Sequence, residues 1–219
     1  MKRHILFLAA VATFTWCSNS YASITNGWWY TGDETSLYCN VSSWSGGMLS
    51  MSGTQYGSSA TMVGGVQTTS ESDPTLTLSS AVNNDTGGAW IAYQVNVIMS
   101  IPFSFVTPGP TVGTPNPSGA VDNPPIDDWM VSMVVAPSLQ VSGPYAGMYE
   151  GTLDYSSGTP VGIGDELDYL FSIQFSGATS YTFTEQVIPT ITEVPEPGAL
   201  ALAGIGGLLF ALRLRWKRA

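Results

Sequence analysis

The chain has 219 residues and carries sixteen Asp and Glu against six Lys and Arg, a formal net charge of −10. All six Lys and Arg and the single His fall within residues 1–4 or 213–218, so residues 5–212 hold no cationic side chain. A body of that kind cannot neutralise phosphates, which excludes nucleic-acid binding. It also lacks the base for a Ser-His-Asp or Cys-His mechanism, a Schiff-base lysine and a histidine ligand for zinc.

The N-terminus reads as a secretory signal peptide over residues 1–22. Lys2 and Arg3 form its positive start, residues 5–14 its apolar stretch, and Ser20, Tyr21 and Ala22 its cleavage region. Signal peptidase is expected to cut between Ala22 and Ser23. The apolar stretch is too short for a spanning helix. Removal takes away Cys17 and leaves Cys39 as the only cysteine, so an internal disulfide is excluded. Cys39 is expected to be buried and inert within the strand "LYCNV".

Residues 23–192 read as an extracellular β domain. In "IAYQVNVIMSIPFSF" the odd positions Ile91, Tyr93, Val95, Val97, Met99, Ile101, Phe103 and Phe105 are apolar, and Gln94, Asn96, Ser100 and Ser104 alternate with them. That period of two predicts one long strand with one buried face, bent or edged at Pro102. "LDYLFSIQFSG" repeats the pattern, with Leu167, Tyr169, Phe171, Ile173 and Phe175 inward and Asp168, Ser172 and Gln174 toward water. "TSYTFTEQVIP" follows, with Tyr181, Phe183 and Val187 alternating, and the two segments predict a hairpin. Shorter alternating runs lie between turn signals such as "NNDTGG" and "GIGD". Eight to ten short strands and no helical periodicity predict an all-β, two-layer sandwich, jelly-roll or immunoglobulin-like. Its core would include Trp90, Val95, Val97, Phe171, Ile173 and Phe175. A proline-rich stretch near residues 106–129 predicts a long extended loop.

Three kinds of site can be drawn from the body. Asp165, Glu166 and Asp168 follow a glycine-rich turn and could contribute oxygen ligands to Ca2+, as could Asn84, Asp85, Asp127 and Asp128. None of these turns matches an EF-hand loop, and the plain alternative is a set of solvated turn acids. Trp28 and Trp29, adjacent and on opposite faces of a strand, are the best candidates for stacking against sugar rings. A glycosidase would need two carboxylates at a set separation, but no motif singles out a pair, so the chain is read as non-enzymatic with no required cofactor.

The chain closes on "EVPEPGALALAGIGGLLFALRLRWKRA". Residues 199–212 are all Ala, Leu, Gly, Ile or Phe. A helix over about 198–214 would reach only ~26 Å, short of a bilayer core of ~30 Å. It is a marginal anchor suited to transient membrane retention. The basic tail of residues 213–218, with Arg213, Arg215, Lys217 and Arg218, acts as a stop-transfer cluster that stays cytoplasmic. Pro195 and Pro197 keep the preceding segment extended.

Val194, Pro195, Glu196 and Pro197, followed by a short apolar helix and an arginine-rich end, resemble the PEP-CTERM sorting domain of Gram-negative envelope proteins over residues 193–219. The resemblance implies recognition of Pro195, Glu196 and Pro197 by exosortase, a membrane-embedded transpeptidase-like enzyme, and processing near that motif. It also implies association with exopolysaccharide and biofilm. The expected protein is therefore an exported envelope or matrix component. The alternative is a carbohydrate-binding module, Ca2+-assisted or not, that grips the exopolysaccharide.

Overall fold

Alternating side chains along this chain reach opposite faces of two stacked sheets. A computed structural model describes residues 24–31, 33–69, 73–112, 128–175 and 180–192. The signal-peptide residues, Asp127 and the C-terminal segment from residue 193 lie outside the described residues. The described residues form eleven strands: β1 (Ile24–Thr31), β2 (Leu37–Ser45), β3 (Met48–Gln55), β4 (Ala60–Thr68), β5 (Thr75–Asn84), β6 (Ala89–Met99), β7 (Phe103–Val112), β8 (Met130–Leu139), β9 (Tyr149–Val161), β10 (Glu166–Phe175) and β11 (Ser180–Thr192). No helix occurs among the described residues.

One sheet has six strands in the order β1-β4-β11-β6-β9-β8, and the other has five in the order β2-β3-β5-β10-β7. Every neighbouring pair is antiparallel except β3 and β5, which run parallel. The β2–β3 hairpin turns through Gly46 and Gly47, whose φ values of 58° and 88° are those a two-residue type I′ turn demands. Between the sheets lies a single buried cluster that draws Trp29, Met62, Tyr93, Val95, Val97, Phe183 and Val187 from the first sheet. It draws Leu49, Leu78, Leu167, Tyr169, Phe171, Ile173 and Phe175 from the second. The expected core residues Trp90, Val95, Val97, Phe171, Ile173 and Phe175 are all buried there.

Three local expectations are corrected. The long strand expected through Pro102 is two strands, because the chain leaves β6 in the six-stranded sheet and enters β7 in the five-stranded one. Pro102, with no N–H to give a ladder, lies in the passage between them. Within β6 the register slips between Trp90 and Ala92, which turns Trp90 into the core and leaves Ile91 43% exposed. The expected hairpin of β10 and β11 does not form either. β10 pairs with β5 and β7, whereas β11 pairs with β4 and β6 in the opposite sheet.

Candidate functional site

The acidic turn after "GIGD" does not converge on one point. The Asp165 carboxylate accepts the Gly162 backbone N–H at 3.0 Å and so closes its own turn. Glu166 and Asp168 stand two residues apart on β10, and both are buried, not facing water as Asp168 was expected to. β10 is an inner strand with β5 and β7 on either side, which accounts equally for the burial of Ser172, bonded to Thr77 at 2.9 Å. Burial, then the neighbouring Glu166 charge and their shared hydrogen bond, push Asp168 up to about 7. The pair is thus built to hold a proton.

The other acid turns are also committed within the fold. Asn84 is fully buried. Its Nδ2 donates to the carbonyls of Gly88 and Val161, each at 2.8 Å, and its Oδ1 accepts the Thr86 N–H and hydroxyl at 3.0 and 2.8 Å. Asp128 accepts the Thr159 N–H and hydroxyl, bonds that lower its pKa. Among the described residues no group of three or more His, Cys, Asp or Glu is placed to hold a metal ion. Cys39 is half-buried and packs against the core from β2.

Trp28 and Trp29 point to opposite faces of β1, as their adjacency requires. Trp29 is 9% exposed and meets Phe183 edge-to-face at 5.1 Å, inside the core. Trp28, 42% exposed, lies flat over β4. Its partner in register there is Gly65, where any Cβ would collide with the indole. Next to it Gly64 serves the inner side in the same way, beneath the Phe183 ring. The "VGGV" run of β4 is therefore a double recess, one glycine for each face. Only Trp28 of the pair is presented to the outside.

Tyr30, two residues along the same face and 61% exposed, joins Trp28 as a second outward aromatic that sequence reasoning missed. The alternation of β1 could have revealed it. Across this outer face run uncharged hydrogen-bonding side chains. Thr152 donates to Asn96 Oδ1 at 2.9 Å, and Asn96 Nδ2 donates to Gln186 Oε1 at 3.3 Å, so one ladder crosses β9, β6 and β11. Beside it a groove of ≈ 330 Å³ opens between Gln94, Asp154, Ser132 and Thr190. Partial burial there raises the Asp154 pKa. From β1 to β9 is four strand spacings, or roughly 19 Å.

A further carboxylate escaped the sequence analysis. Glu185 lies between Phe183 and Val187 on the inward face of β11 and is fully buried. Tyr169 donates its hydroxyl to Glu185 Oε1 at 2.8 Å. Burial drives the Glu185 pKa up to about 7, and the Tyr169 hydrogen bond works against that rise. Tyr93 and Tyr155 stack near Tyr169, with ring centroids 5.6 and 5.4 Å away. Tyr93 donates to Gln55 Oε1 at 2.7 Å across the two sheets. The signal was present in the alternation Tyr181, Phe183, Glu185, Val187.

The described body is thus an all-β sandwich with an aromatic-edged polar face and a carboxylate in its core. Residues 193–218 match the family model described as the PEP-CTERM protein-sorting motif. This chain carries that motif at the stretch holding Val194, Pro195, Glu196, Pro197, Arg213, Arg215, Lys217 and Arg218. No curated protein and no solved structure matches the chain. No described helix is long and apolar enough to cross a membrane, and residues 198–214 lie outside the described residues.

Proposed function

We propose that this protein is a non-enzymatic component of the cell envelope or extracellular matrix, delivered there by exosortase and associated with exopolysaccharide. The sorting motif over residues 193–218 carries the reading, since it implies exosortase-dependent export with membrane-held processing. Signal peptidase would act first, between Ala22 and Ser23. The apolar residues 199–212 would then hold the chain in the membrane while Pro195, Glu196 and Pro197 are read. The test is fractionation with intact-mass measurement in a host that has exosortase. Glu196→Ala, or deletion of the exosortase, should trap a longer membrane-bound form. Release of the protein at its usual mass from both strains would overturn the sorting reading.

The outer face of the six-stranded sheet favours a second reading, carbohydrate binding. Trp28 and Tyr30 offer two aromatic surfaces about 7 Å apart along β1, and the Thr152–Asn96–Gln186 ladder offers uncharged donors and acceptors. No described residue is Lys, Arg or His, while Glu150 and Asp154 share the face. Neutral glycans therefore suit it better than uronate polymers, which it would repel. Affinity electrophoresis of the full chain through neutral and uronate polysaccharides tests this. Retardation by the neutral polymer, lost in Trp28→Ala, is expected. Equal mobility of both proteins in every gel would remove the reading.

A further inference from the structure

We propose that Glu185 is a proton-operated latch between the two sheets: protonated, it lets them close over it, and its ionisation loosens their packing. The placement carries the idea. Glu185 belongs to the six-stranded sheet, in register with Met62 of β4 and Val97 of β6. Its one hydrogen bond comes from Tyr169 of the five-stranded sheet, so the carboxyl joins the layers directly. Its second oxygen, Oε2, is buried without a hydrogen-bond partner, as is the Tyr155 hydroxyl. A protonated carboxyl tolerates this setting. An ionised one must give up hydration that a single phenol cannot replace.

The surroundings offer no countercharge. From β10, β6 and β9 the titratable groups facing Glu185 are Tyr169, Tyr93 and Tyr155, all fully buried. Burial and the Glu185 charge hold all three phenols well above their ordinary range, so they stay neutral near pH 7. The polar side chains from β5 and β3, Ser80 and Gln55, do not titrate. β4 and β11 supply Met62, Phe183 and Val187. Glu166 and Asp168 occupy the opposite face of β10 by alternation. No described residue is a cation, so ionised Glu185 has no salt-bridge partner on any of these strands.

The direction follows from linkage. In the unfolded chain the carboxyl titrates at its ordinary 4.5, and in the fold at about 7. The folded state then binds the proton more tightly. Its contribution to stability is complete below pH 4.5 and is lost as pH rises through about 7. The unfolding equilibrium should shift by roughly a few hundredfold across that window. A surface carboxylate behaves in the opposite sense, so the two are separable.

The experiment is urea unfolding of the full chain in detergent, followed by tryptophan fluorescence at half-unit steps from pH 5 to 9. Wild type should lose stability as pH rises from 5 to about 7, and Glu185→Gln, which keeps an acceptor for Tyr169, should remove roughly half of that dependence, with Asp168 carrying the rest. Asp168→Asn serves as the control for the other proton-holding carboxyl. A slope abolished by Asp168→Asn and untouched by Glu185→Gln would overturn the proposal. Infrared difference spectra of the folded wild type guard against a Gln variant that fails to fold. A protonated-carboxyl stretch should vanish near neutrality, and Tyr169→Phe should move its midpoint upward. A spectrum with no such band, or a midpoint indifferent to Tyr169, would also overturn it.

Discussion

The sandwich interior has two unlike halves. Around Glu185 the large side chains are Tyr93, Tyr155 and Tyr169, with Gln55 and Ser80 among them. In the other half Phe105 meets Phe171 edge-on at 6.1 Å, Phe103 meets Phe105 at 5.8 Å, and Phe175 meets Tyr181 at 4.3 Å. The phenylalanine half is held chiefly by buried area and ring packing, which do not depend on pH. The tyrosine half exchanges some of that area for hydrogen bonds that cross between the sheets. It gains a defined alignment of the layers, and it becomes sensitive to any change that leaves a polar atom unpaired.

The sharpest break of this comparison is Phe171→Ala. It should cost ~3–5 kcal/mol through the cavity it leaves, measured by urea unfolding, and by the same amount at pH 5 and pH 9. A pH-dependent loss would mean that the halves are not separate. In the tyrosine half, Glu185→Gln should raise stability at pH 9 by up to ~3 kcal/mol and change it far less at pH 5. Tyr93→Phe leaves Gln55 Oε1 buried without its donor and should cost ~1–3 kcal/mol at both pH values. The outer face is expected to answer least. Gly65→Ala puts a methyl against the Trp28 indole, so it should lower stability by ~1 kcal/mol and weaken glycan retardation. Trp28→Ala strips the half-buried indole off β4 and should cost about as much, ~1 kcal/mol, and abolish that retardation.

Much of this was legible in the alternation of side chains. Leu167, Tyr169, Phe171, Ile173 and Phe175 read as an inward row and are one. Alternation states which face a residue takes and is silent on which sheet its strand joins. β10 and β11 therefore looked like a hairpin and lie in opposite layers, and β6 and β7 looked like one strand. The site was less legible. Trp28 and Trp29 carry the same side chain, and only the glycine recess of β4 and the ring of Phe183 separate an exposed indole from a buried one. Glu185 sat in a readable alternation, but a carboxylate is ordinarily assigned to water. Its burial depends on three tyrosines brought from β6, β9 and β10. The sorting signal lay in contiguous residues and needed no fold to be read.

The place of β11 has a consequence for the order of assembly. It is the last of the described strands, yet it fills the interior of the six-stranded sheet, where β4 and β6 both pair with it and not with each other. Until residues 180–192 arrive, that sheet is two separate pieces with unpaired edges. Of the ten connections between the described strands, eight pass from one sheet to the other, so closure waits on distant partners and is slow compared with local folding. A chain synthesised from its N-terminus completes its body only when the stretch just ahead of the sorting motif has emerged. Closure of the body and presentation of Pro195, Glu196 and Pro197 thus become neighbouring events in time.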